Sequence, residues 1–200
     1  MHRLSLFGVL LLSFFLIACS GGEIKDDIVI NQSESSEAEA FIIDTLTNES
    51  AHWEITIYDE TIQNIKVMID HYRFGEKQKP VAELSTMVES KKGGTNIRLI
   101  FAEQVFQGET KWITAFIDDF SVASLESTSP ITENMQVRSY SSVSFPETAK
   151  KGEKVAIGTI IYTDSDNETS ISTPNVYDEF FDENELKNYN DVFIFSLETN

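Results

Sequence analysis

Chemistry near neutral pH usually needs a histidine, a thiolate, an activated serine or converging carboxylates. The 200-residue chain has three histidines and one cysteine. His2 stands in the N-terminal leader, which leaves His52, before Trp53, and His71, before Tyr72. Neither belongs to a His-x-His or His-Glu-x-x-His spacing, so both read as structural or surface groups and not as metal ligands. No Gly-x-Ser-x-Gly presents a serine nucleophile. Asp118-Asp119 is the carboxylate pair that a glycoside hydrolase would need. Adjacent strand residues point to opposite faces, however, so the pair reads as a solvated loop. Asp164-Ser165-Asp166-Asn167-Glu168 sets oxygen ligands at alternate positions, as calcium favours. It lacks the central glycine and final glutamate of the twelve-residue calcium loop and reads as a hairpin loop. The expectation is no catalytic residue, no metal site and no cofactor.

The cysteine is where the sequence is most specific. Arg3 is followed by an uncharged apolar stretch from Leu4 to Ala18. That is short of the roughly 20 residues a membrane span needs, and it has the order of a secretory signal. It ends in Leu16-Ile17-Ala18-Cys19, then Ser20-Gly21-Gly22. This run resembles the lipobox of bacterial lipoproteins. The resemblance covers about the first 22 residues and implies cleavage after Ala18, with a diacylglycerol on the Cys19 thiol. Two acyl chains hold a protein stably where one is marginal. A sole cysteine consumed as a thioether also suits an oxidising compartment. The expected localisation is a bacterial cell membrane, lipid-anchored and facing outside the cytoplasm.

The formal charge is −18, and loss of Arg3 makes it −19. Such a balance excludes nucleic acid as a partner, because phosphates need Lys and Arg. It also argues against adhesion driven by anionic lipid, and it keeps a domain hydrated near a surface. The acid is uneven. Residues 62–98 carry seven bases and four acids, while residues 164–200 carry ten acids and one base. The basic stretch reads as two neighbouring hairpins, offering Lys77, Lys79, Lys91 and Lys92 to an anionic partner or pairing with the acidic ends of the same domain. Tyr72 and Phe74 flank Arg73 before Gly75 and are the aromatic residues expected outside the core. Tyr72, Arg73, Phe74 and these four lysines are the candidate partner-binding residues.

The elements that must position these residues follow from periodicity. Residues 1–18 are the signal peptide. Residues 19–40, rich in Ser, Glu and Asp, read as the lipidated cysteine and a flexible acidic tether. Residues 41–200 read as one domain. Trp53, Ile55 and Ile57 alternate with polar residues; Ile65, Val67 and Ile69 do the same, as do Ala82, Leu84, Ile97, Leu99 and Phe101. Runs 112–117, 137–143, 155–162 and 192–197 follow, separated by turns at Gly75, Gly93-Gly94, Gly108 and Gly152. Trp112 to Ile117 is apolar on both faces, as a central strand would be. Residues 177–189 carry apolar groups at helical spacing and predict one short helix that buries Phe180 and Phe181. The expected fold is all-β, an antiparallel β-sandwich of about eight or nine strands, immunoglobulin-like in general architecture.

The expected function is a membrane-anchored, non-catalytic binding or interaction module, held through lipid on Cys19 and meeting an envelope protein or polymer. The alternatives are an envelope-polymer hydrolase using paired carboxylates, and a structural accessory domain without a ligand.

Overall fold

The structure is a computed structural model and describes residues 26–106, 109–130, 137–142, 147–163 and 183–200. Two six-stranded antiparallel sheets form a sandwich. Sheet A holds, in spatial order, β10 (Glu147–Ala149), β1 (Ile28–Gln32), β2 (Glu49–Ile57), β6 (Thr95–Phe106), β7 (Glu109–Ile117) and β8 (Val122–Pro130). Sheet B runs β4 (Glu76–Lys77), β3 (Asn64–Arg73), β12 (Asp191–Thr199), β11 (Lys154–Thr163) and β9 (Val137–Ser142), with β5 (Ala82–Met87) also paired to β3. One helix, α1 (Glu37–Leu46), follows β1, and a 3₁₀ helix spans Glu183–Asn188.

Strict alternation explains the core. Ile65, Val67 and Ile69 face Phe195 and Leu197 across the β3–β12 ladder, and these meet Trp53, Ile55, Leu99 and Phe101 of sheet A. Aromatic rings join the layers: Phe195 stacks on Phe101 with centroids 4.7 Å apart, and Phe193 lies 4.7 Å from Trp112. Gly158 sits at a bulge in β11, where a Cβ would lie 2.9 Å from the Phe195 ring and 3.3 Å from Trp53. The rings claim the space that a side chain would need. A smaller cluster of Tyr72, Ile161, Leu186 and Val192 lies on the outer face of sheet B, under the 3₁₀ helix.

The antiparallel sandwich is the fold that the alternation predicted, but the described strands number twelve and not eight or nine. β4 and β10 are too short to show a period. β8 is an edge strand built from Ser, Thr and Ala, so its alternation is faint. The stretch read as tether to residue 40 contains β1 and the first part of α1. Ile28 and Ile30 are fully buried, and β1 pairs with both β2 and β10. A five-residue strand in a polar surround offers little periodicity, and the two flanking strands supply its hydrogen bonds. Residues 37–46 are helical, so the alternation read from Phe41 onward begins at Glu49 instead. The 3₁₀ helix falls within the predicted helical segment and buries Leu186. Phe180, Phe181, Val143, Gly108 and the loop at 164–168 lie outside the described residues, as do Ala18 and Cys19.

Candidate functional site

The odd-numbered core period turns polar at one end of the sandwich. β3 continues Ile65, Val67, Ile69 into His71 and Arg73. β12 begins at Asp191 before Phe193 and Phe195. β6 runs Ile97, Leu99, Phe101 into Glu103. Ladder register sets Arg73 directly across from Asp191, and His71 across from Phe193. Asp191 is fully buried. Its Oδ1 accepts from His71 Nε2 at 2.6 Å and from Arg73 Nε at 2.9 Å. The His71 ring stacks on Phe193 at 4.4 Å. Arg73 also donates through its terminal nitrogen to the Pro130 carbonyl at 2.8 Å, which ties sheet B to the end of β8 in sheet A. Nearby, Tyr162 O–H donates to the buried Glu103 carboxylate, and Trp112 Nε1 donates to Ser129 Oγ at 3.0 Å. A void of about 10 Å³ beside Glu103, Trp112 and Tyr140 has room for about one water. Among the described residues this network fills the end of the core.

The outer face of sheet A carries an open groove of about 320 Å³ lined by Glu34, Glu54, Asn96, Arg98, Ile117, Asp118 and Asp119. Arg98 stands between Glu54 and Ile117 in the ladder. Asp118 accepts from Phe120 N, Ser121 N and Ser121 Oγ at 2.7 to 2.9 Å, so it caps the β7–β8 hairpin. The Phe120 backbone N–H, and then Ser121, hold its carboxyl below the ordinary range. A glycosidase general acid needs the opposite shift. Asp119 binds Lys91 at 2.7 Å. The Asp118-Asp119 pair is therefore a structural turn.

The candidate binding residues do not form one face. Lys91 and Lys92 lie in the turn before β6, while Arg73, Phe74, Lys77 and Lys79 lie at the other end of the strands. Tyr72 is buried on the outer face of sheet B, contrary to its expected exposure, because the 3₁₀ helix and Ile161 cover it. Pairing with acids takes up most of the bases. Arg73 holds Asp191, Lys66 holds Glu198 at 2.7 Å, and Lys77 reaches Asp70 at 3.4 Å with its ammonium 5.5 Å above the Tyr72 ring. Lys154 completes the Asp70 pair at 2.7 Å. Burial pushes the Asp70 carboxyl up, but Lys154 and Lys77 outweigh it and leave the group below the ordinary range. Lys79 and Lys92 are exposed.

Phe74 is exposed as expected, at 54%, and carries a feature the sequence did not announce. Its φ is +49° and that of Gly75 is +77°, the two left-handed residues of a tight hairpin between β3 and β4. Such turns favour Asn-Gly. Phe74 N donates to the Asn190 carbonyl at 3.0 Å, and Gly75 packs against Lys187, so the turn is held from both sides. His52 lies on the outer face of sheet A, sharing a 2.6 Å hydrogen bond with Ser35. No group of metal-ligating side chains occurs among the described residues.

Asp191 and Glu103 were missed by sequence reasoning. The signal was present: each sits at a core position of its strand's alternation.

The molecule is thus a two-sheet antiparallel β-sandwich whose buried ionisable groups are spent within the fold. A YgaN domain family model matches residues 29–199, and the chain belongs to that family. The match begins inside β1 and ends in β12, so the family unit and the sandwich coincide. No curated protein and no solved structure matches the chain.

Proposed function

We propose that the protein is an extracytoplasmic lipoprotein of a bacterial envelope, anchored by lipid on Cys19, and that its sandwich is a non-catalytic binding module. The observation that carries the reading is Leu16-Ile17-Ala18-Cys19, with the only cysteine of the chain at the acceptor position. The engagement of Asp118, Asp191 and His71 in turns and buried pairs supports a binding role over a hydrolase. Phe74 supports it further. A bulky residue in the left-handed region costs about 1–2 kcal/mol, and an exposed ring at that cost points to a contact outside the chain. With Lys79 nearby in sequence, it offers an apolar and cationic surface to an envelope protein or an acidic polymer.

Fractionation of cells carrying Cys19→Ala tests the anchor. Loss of acyl labelling and release or trapping of the protein is expected. A variant that stays in the membrane and is processed normally overturns it. Capture from envelope extract by wild type, but not by Phe74→Asn with Lys79→Glu, is expected for the binding surface.

A further inference from the structure

We infer that the loop end opposite the polar cluster docks on the lipid bilayer, with Met87, Phe120 and Val122 in its interface; this rests on the lipid-anchor reading. Only six residues, Ser20 to Lys25, separate Cys19 from Asp26. Whatever their conformation, they reach at most about 25 Å.

Beyond them the chain is pinned. The Asp27 carbonyl accepts from Tyr58 N at 2.8 Å, its carboxylate accepts from Lys151 N at 3.2 Å, and Ile28 starts β1 opposite Ile57. The chain therefore joins the sandwich at the end formed by the turns near residues 58–63, 88–94, 118–121 and 150–153. Strands of nine residues are about 30 Å long, so the far end, with Phe74, lies farther from this point than the link can reach. A lipid on Cys19 keeps the near end within that reach of the membrane.

The near end has the side chains for that position. Met87 is 83% exposed and Phe120 82%, with Val122 also exposed. β5 packs beside β8 across the sheets, and Met87 and Val122 are their termini at this end, so the three share one corner. Lys91 lies 5.0 Å above the Phe120 ring while pairing with Asp119. A lysine stem over an aromatic ring can stay at the interface with its ammonium in water. Asp26, Asp27, Glu60, Glu89, Asp118 and Asp119 share this end with Lys91, Lys92, Lys150 and Lys151. The contact is accordingly apolar and does not need anionic lipid.

The test uses the processed, lipidated protein extracted from membranes and reconstituted in phosphatidylcholine vesicles. Phe120→Cys or Phe74→Cys supplies a single free thiol, since the Cys19 sulfur is held as a thioether to the diacylglyceryl group. Each is labelled with an environment-sensitive fluorophore, and vesicles with and without nitroxide-bearing lipid are compared, with flotation measured separately. Strong quenching at 120 and none at 74 is expected, and equally so when anionic lipid is added. Flotation with no quenching at either position, or with equal quenching at both, overturns the docking. Failure to float overturns the anchor reading and the docking with it. Circular dichroism of each labelled protein shows whether the sheet signal is kept.

Discussion

Removing the Asp191 carboxylate should destabilise the sandwich more than any exposed charge change. In Asp191→Ala, the imidazole of His71 and the guanidinium of Arg73 lose the same oxygen. Deleting one partner of a buried ion pair costs about 3–5 kcal/mol. The two bereft groups are not equivalent. The side chain of His71 is only 6% exposed, whereas that of Arg73 is 32% exposed and keeps its bond to the Pro130 carbonyl. The expected cost therefore sits near the low end, about 3 kcal/mol. For a domain of this size that lowers Tm by roughly 6–12 °C. Urea and thermal unfolding of the chain lacking residues 1–19, followed by tryptophan fluorescence, measures it, and Trp112 reports locally because it packs on Phe193, which stacks on His71. A double-mutant cycle with His71→Ala should show coupling on the order of 1–3 kcal/mol. A loss below about 1 kcal/mol, or no coupling, would refute the reasoning and mean that this end of the core is wet.

Gly158→Ala gains about 0.5–1 kcal/mol from a stiffer unfolded chain but overpacks Phe195 and Trp53 at about 1–3 kcal/mol, so net destabilisation is expected in urea, partly rescued by Phe195→Leu. Phe74→Asn relieves a left-handed phenylalanine and should raise stability by about 1 kcal/mol in the same assay while weakening partner capture. The Asp70 carboxyl titrates below its unfolded value of 3.8, so its contribution is complete above that pH and is lost as pH falls through the lower folded value. Acid unfolding of Asp70→Asn should accordingly show lower stability at neutral pH and a shallower fall below about pH 4.

The fold class was legible because Ile, Val, Phe and Trp recur every second residue in β2, β3, β6, β11 and β12, and one buried face enforces that period. β1 was not legible, since Ile28 to Gln32 is short and lies between β2 and a strand, β10, more than a hundred residues later. β8 escaped because an edge strand buries little and tolerates Ser and Thr. For the candidate site, the exposure of Phe74 was readable from the turn signal at Gly75. The burial of Tyr72 was not, because its cover comes from a segment more than a hundred residues later. Lys77 and Lys91 looked like neighbours in a basic stretch. The path of β5 between them carries the chain to the opposite end of the sandwich. Charge counts along a sequence cannot show that Arg73 spends its charge on Asp191, which only the β3–β12 register brings together.

The central claim is the lipid anchor, and the most direct measurement is the intact mass of the protein extracted from bacterial membranes with detergent. The account predicts a chain from Cys19 to Asn200 that carries a diacylglyceryl group, with the acyl mass lost in Cys19→Ala. A membrane-extracted chain that retains Met1, or one cut after Ala18 with no acyl mass, would contradict it.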